Sequence, residues 1–350
     1  MMTLRQLAAK PETIPLSTTW YLSDLGEAHG KQELFTRQVP QRLKALKQQA
    51  LIESTVSSNR IEGVEIDPAR VELVLLKQPA LRDRNEEELR GYRDALQAVH
   101  ERSAKLAFSE QTIKRLHRQT RGEIWDAGKY KELPVDIIET LPGGRQRVRF
   151  ATVTPKQTPA AMAELVELWQ RAQRERWVPL PISLAAANLD FLCIHPFRDG
   201  NGRVSRLLWL LLSYHIGLEV GRYISLERLI EQNKDRYYET LEHSSRGWHE
   251  GRHDPWPYIN FVLYTLLLAY REFEERVGRT DSPKGEKTAI VQNAIRRSAE
   301  TFSVADLQRN CPGISLDLIR HVLKSLRKND SVECLGRGPK ALWRKTKRFK

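Results

Sequence analysis

Residues 191–206, FLCIHPFRDGNGRVSR, gather a histidine, an aspartate, two glycines and three arginines within one short stretch. An imidazole whose ordinary pKa is near ~6.5 is largely neutral at physiological pH, so His195 can act as a general base. Asp199 offers a hard oxygen to a Mg²⁺ that keeps its other positions for water and phosphate. Gly200, Asn201 and Gly202 tolerate unusual backbone angles and lead into an apolar helical pattern, so their amides converge at a helix start, where phosphate oxygens bind. Arg203 and Arg206, one turn apart, add two guanidinium forks, and Val204 and Ser205 complete the phosphate-side set. This chemistry fits phosphoryl-type transfer.

Two helices must hold that loop. Ser183 is a plausible cap for a helix through LAAANLDFLCI, and Pro196 pushes His195 out of helical dihedrals, so this helix is predicted to stop near Ile194. The second begins near Gly202. Apolar residues at three-and-four spacing recur along most of the chain, which predicts a mainly α fold. The exception is residues 134–153, where two β-type runs flank Pro142-Gly143-Gly144 and read as a hairpin flap. Residues 277–287, VGRTDSPKGEK, have the composition of a linker.

HPFRDGNGR, residues 195–203, resembles the Fic family signature HPFx(D/E)GNGR at every specified position. The resemblance spans roughly residues 15–270 and implies an all-α core that transfers AMP from Mg·ATP to Ser, Thr or Tyr hydroxyls of proteins. In that reading His195 takes the hydroxyl proton, Asp199 holds Mg²⁺, Gly200, Asn201 and Gly202 line the anion hole, and Arg203 binds the γ-phosphate region. Phe197 turns inward as an anchor, and the flap clamps the target peptide. Asn233, Tyr237 and Tyr238 lie where similar proteins place an adenine-side wall, although aromatics at helical spacing also serve as core. Relatives that phosphorylate lack the complete GNGR ending, which this chain retains; the motif leaves phosphocholine transfer open.

Residues 57–63, SSNRIEG, resemble a second pattern of the family, (S/T)xxxE(G/N), on Ser58, Glu62 and Gly63. Positions i and i+4 share a helix face, and Gly63 can end the helix. The expectation is an inhibitory helix over about 48–63 whose Glu62 pairs with Arg203 and displaces the γ-phosphate. A solvated helix-end glutamate is the alternative.

The organisation expected is an N-terminal helical region (1–105), a catalytic core (106–276), a linker (277–287) and a C-terminal winged helix (288–350). In the last unit Ser303 and Ser315 are candidate caps, and Ile319, Val322, Leu323 and Leu326 form a stripe opposite Arg320, Lys324, Arg327 and Lys328. A basic helix suits DNA, while winged helices also dock proteins. The competing functions are therefore a DNA-binding regulator and a docking protein. Partners expected are a hydroxyl-bearing protein, DNA through the basic helix and, as a further candidate, a second copy of the chain.

The formal net charge is +13, and residues 281–350 hold 16 Lys and Arg against 7 Asp and Glu, so most of the basic excess is C-terminal. Three widely spaced cysteines argue against a disulfide framework. The longest apolar run, Leu207–Leu212, is far short of the ~20 residues that span a bilayer, so the expectation is a cytoplasmic protein without a membrane partner.

Overall fold

The computed structural model describes residues 2–11, 14–38, 40–77, 80–122, 124–140, 144, 146–278, 286–336, 338 and 341–346. Helices α1 (Thr3–Ala9), α2 (Leu16–Gln38), α3 (Pro40–Ile61), α4 (Pro68–Leu76), α5 (Arg84–Arg102) and α6 (Glu110–Arg121) precede a hairpin of β1 (Ile137–Thr140) and β2 (Gln146–Phe150). There follow α7 (Thr158–Glu175), α8 (Leu180–Ile194), α9 (Asn201–His215), α10 (Leu226–Gln232), α11 (Lys234–Ser245) and α12 (Trp256–Gly278). The chain continues through α13 (Glu286–Arg297), β3 (Thr301–Ser303), α14 (Val304–Asn310), α15 (Leu316–Lys328), β4 (Val332–Cys334) and β5 (Leu342–Lys345). The fold is mainly helical, as the periodicity predicts.

Helix α8 is apolar all round, and each residue from Ile182 to Ile194 is buried, so it forms the centre of the core. It packs against α7, α9 and α12, while α9 also meets α5 and α6. Both ends of the α8–α9 connection are thereby fixed in a solid interior. Helix α8 starts at Leu180, earlier than its expected cap: Pro179 occupies the cap position, a proline lies in the first turn, and Ser183 is buried inside the helix. Helix α3 likewise begins at Pro40, ahead of the expected 48, and packs against α5 and α10.

The flap is a two-stranded antiparallel pair, with an irregular step between Ile137 and Ile138. Its Pro142-Gly143 turn lies outside the described residues, as do 279–285 of the expected linker. Beyond them a second apolar cluster gathers Ile290, Val291, Ile295, Phe302, Leu307, Ile319, Val322, Leu323 and Val332. Three helices surround it with a sheet of order β3-β5-β4, whose β3 no alternation in the sequence reveals. Ser303 and Ser315 cap α14 and α15, and Arg320, Lys324, Arg327 and Lys328 are exposed on α15. None of the helices, among the described residues, is long and apolar enough to cross a membrane.

A buried carboxylate ties the N-terminus to this core. Asp190 of α8 accepts hydrogen bonds from the Thr3 and Leu4 amides, at 2.6 and 3.0 Å, and from Trp248 Nε1 at 2.7 Å. Burial pushes its pKa up to about 6. Asp190→Ala leaves three buried donors without an acceptor and should cost about 3 kcal/mol, since each orphaned donor costs ~1–3 kcal/mol. A urea midpoint equal to that of the native chain would contradict this.

Candidate active site

Pro196 ends α8, and His195 caps it in the left-handed region at φ 51°, its amide bonded to Phe191 O at 3.0 Å. That conformation costs a non-glycine residue on the order of 1 kcal/mol, so neighbouring contacts must hold it. Phe197 is fully buried and stacks on His117, with ring centroids 3.8 Å apart and planes within 2°. Asn201 braces the same turn: its Oδ1 accepts from Phe197 N at 2.9 Å, and its Nδ2 donates to Phe197 O at 2.8 Å. Its side chain therefore supports the loop from behind, and an anion contact at this position is left to its backbone amide.

His117 accepts from Gly128 N at Nδ1 (2.8 Å), so Nε2–H donates to Asp199 O at 2.9 Å. Burial lowers its pKa to about 4, which keeps the ring neutral in that donating role. Lys131 binds the loop from the other side, its amide donating to Pro196 O at 2.9 Å and its Nζ to Thr152 Oγ1 and Ile194 O at 2.6 and 3.1 Å. Burial lowers the Lys131 pKa to about 8.

The first turn of α9 divides its residues between opposite sides. Val204 is fully buried in the core with its amide bonded to Gly200 O at 3.0 Å, and Ser205 Oγ donates to Gly202 O at 2.8 Å, so both are engaged within the helix. Arg203 turns towards α5, where its Nη1 meets Glu88 Oε2 at 2.7 Å. Glu88 also receives Arg121 Nη1 at 2.9 Å, and that same nitrogen reaches Asp199 Oδ2 at 2.7 Å. Burial opposes the charge of Asp199, but Arg121 and Arg203 together hold its pKa below the ordinary value. Asp199 remains half exposed, with Oδ1 bonded to Gly200 N at 2.5 Å. Gly200 caps α9 at φ 80°, and a Cβ there would lie 3.1 Å from Arg121 Cδ.

Arg206, on the side facing α3, is 2% exposed and held by Ser58 of that helix and by Glu62 just beyond its end. Its Nε donates to Ser58 Oγ at 2.8 Å, and its Nη2 donates to Ser58 O at 3.0 Å and to Glu62 Oε1 at 2.8 Å. Burial disfavours the Arg206 charge, yet the Glu62 carboxylate together with Tyr92 and Tyr237 more than offsets it and raises the pKa. Glu62 also presses on Gly202, where any Cβ would collide with its carboxylate. Gly63 ends this segment at φ 79°. The expected Glu62–Arg203 pair is therefore corrected to Glu62–Arg206: Glu88 already holds Arg203, and the bare face of Gly202 opens the path to Arg206.

These groups line a cavity of about 270 Å³. His195, Gly202, Arg206 and Glu62 form one end, Tyr237, Tyr238 and Leu241 a wall, and Ile137, Arg149 and Phe150 of the flap another side. Burial, then the Lys131 charge, lowers the His195 pKa to about 4. Asn233 is elsewhere, at the break between α10 and α11, with Nδ2 bonded to Leu229 O at 2.9 Å. Sequence reasoning misses Glu88, His117, Arg121 and Lys131, because each reaches the loop from a separate element without any local pattern.

A Fic/DOC family model matches residues 107–213. The chain is 25% identical over 212 residues to protein adenylyltransferase Fic of Drosophila erecta, covering 56% of this chain and 38% of that protein. The Drosophila yakuba protein of the same name is 28% identical over 215 residues, with the same shares covered, so the chain spans well under half the length of both. Among solved structures, a Fic family protein from Desulfovibrio desulfuricans G20 superposes with a TM-score of 0.61 at 20% identity, covering 97% of this chain and 98% of that one. Fic-1 from C. elegans gives 0.60 at 18% identity over 79% and 82%. Motif, helix pair and family match thus meet on one segment, and residues 107–213 are similar to the Fic/DOC family.

Proposed function

We propose that this chain is a protein adenylyltransferase that moves AMP from Mg·ATP to hydroxyl side chains of proteins, itself included, and that Ser58 and Glu62 hold it in check. The observation that carries the reading is the cavity in which His195, the start of α9 and Arg206 meet a tyrosine wall and an adjoining flap. In the reaction the target hydroxyl oxygen attacks the α-phosphorus, its proton passes to His195, and the bond to the bridging oxygen of pyrophosphate breaks. His195 Nδ1 lies 3.4 Å from Leu192 O, which favours the Nδ1–H tautomer and leaves Nε2 to accept that proton. The α9 amides and Arg206 bind phosphate oxygens, and Tyr237 and Tyr238 flank the base.

Asp199 fits Mg²⁺ as a single half-exposed carboxylate, for this ion keeps waters and nucleotide oxygens as its other ligands. Bound there, it would neutralise phosphate charge. Among the described residues no cluster of three or more His, Cys, Asp or Glu side chains could hold a metal without such help. The three C-terminal helices and their sheet support a winged-helix reading of that unit, and the exposed basic row on α15 gives it a face for an anionic partner.

Glu62→Gly frees Arg206, and because a charge-assisted hydrogen bond contributes ~1.5–3 kcal/mol, transfer should rise roughly ten- to hundredfold. Initial rates with α-labelled ATP test this, with Arg206→Ala added to remove the gain by coupling. A Glu62→Gly chain that folds but is no faster would contradict the inhibition, and label entering only from the γ position would contradict AMP transfer.

His195→Ala should lower the rate by ~10²–10⁴-fold, the usual loss of a general base. The folded His195 pKa lies below its ordinary value, so the base stays deprotonated as pH falls through 6.5 and is lost only near pH 4. Glu62 raises the His195 pKa, so in the Glu62→Gly background the acid limb of kcat/KM should have its midpoint at or below about 4; a midpoint near 6.5 would show that burial does not tune this ring.

A further inference from the structure

A second, polar cavity of about 390 Å³ lies where α3, α12 and α13 meet, and it shares no lining residue with the first. Three guanidiniums face it: Arg228 from α10, Arg276 from α12 and Arg297 from α13. Glu272 receives all three, at 2.7 Å from Arg228, 2.6 Å from Arg276 and 2.8 Å from Arg297, while Glu53 of α3 receives Arg228 Nε at 3.0 Å. Two carboxylates thus serve three cations. An adjoining cavity of about 190 Å³, which shares Arg228, Gln232 and Asn310, adds Arg60 and Arg309 against Glu231, 3.9 Å from Arg60. Burial lowers the Arg60 pKa, and the nearby Arg309 charge adds to the effect.

The excess positive charge is not merely solvated. The Arg276 side chain is 9% exposed, yet its Nε and Nη1 have no hydrogen-bond partner among the described residues. Buried N–H groups of a charged side chain are costly to leave unpaired, and the natural complement is an oxyanion. Glu53, Glu272 and Gln232 take up the Arg228 nitrogens and Glu272 takes Arg276 Nη2, which leaves Arg276 Nε and Nη1 for a ligand. A cavity of this volume accepts a phosphate together with a small organic group.

We propose that this junction is a binding site for a small phosphate-bearing molecule of up to mononucleotide size, gripped by Arg276 and Arg297. The site spans the core, the helix that carries Ser58 and Glu62, and the C-terminal unit, so its ligand joins all three. It is separate from the proposed transfer site, and its existence does not depend on AMP transfer.

Thermal unfolding of the full chain against inorganic phosphate, with sodium chloride at matched ionic strength as the control, tests the site. Binding to the native state alone raises Tm with ligand concentration. Phosphate should stabilise both the native chain and an Arg206→Ala variant, in which the anion hole beside His195 is disabled. Arg276→Gln and Arg297→Gln should each weaken the apparent phosphate affinity at least about tenfold, as expected for losing one charge-assisted contact. Arg297 is partly exposed and its variant keeps the test intact should Arg276→Gln fail to fold. No stabilisation beyond sodium chloride, stabilisation that persists in the arginine variants, or stabilisation lost only with Arg206 would each overturn the proposal.

Discussion

A guanidinium buried in a helical core is tolerated only when its N–H groups are paired, because an uncompensated buried charge costs several kcal/mol. Arg206 meets that demand through one segment, α3 and the turn that ends it, which supplies the Ser58 hydroxyl, the Ser58 carbonyl and the Glu62 carboxylate. The arrangement therefore fixes α3 against the first turn of α9. It also needs a bare backbone at position 202, since a side chain there would push the Glu62 carboxylate from its place. A charge that belongs to the chain sits where the helix start and Arg206 would otherwise attract a phosphate.

Helix α3 is held as firmly at its other contacts. Ser54 Oγ donates to Ser225 Oγ at 2.9 Å, and Glu53 enters the arginine cluster of α10 and α12. Towards the C-terminal unit, Ile52 packs against Gly313, Gln49 Nε2 donates to Pro312 O at 3.3 Å, and Arg60 Nη1 to Arg309 O at 2.7 Å. The turn between α14 and α15 thus rests on the same helix whose end carries Glu62 to the cavity beside His195. The basic row of α15 remains exposed. One helix links three parts of the molecule through polar contacts.

Much of this was legible in the sequence where the geometry is local. Pro196 after an apolar helix, the glycines around Asn201, and Ser303 and Ser315 before helical stripes each act within a few residues, and the structure places them accordingly. What the sequence could not resolve is competition at long range. Glu62, just past α3, and Glu88, on α5, lie far apart in the sequence, and two arginines three residues apart face them; only packing decides that Glu88 takes Arg203 and leaves Arg206 to Glu62. Asn233 is one turn from Tyr237 in sequence, yet the break between α10 and α11 turns it away from the tyrosine wall. His117 and Lys131 carry no pattern, because their role is to fix carbonyls of a loop distant in sequence.

The central claim is that Glu62 holds the guanidinium needed by the terminal phosphates. Glu62→Gln keeps the shape of the side chain and removes its charge, so the direct measurement is calorimetric affinity of this variant and the native chain for ATP and for AMP. The account predicts that the substitution tightens ATP by roughly tenfold or more, on the scale of one charge-assisted contact, and leaves AMP nearly unchanged. Equal ATP affinities in the two proteins, or an equal gain for AMP, would contradict it.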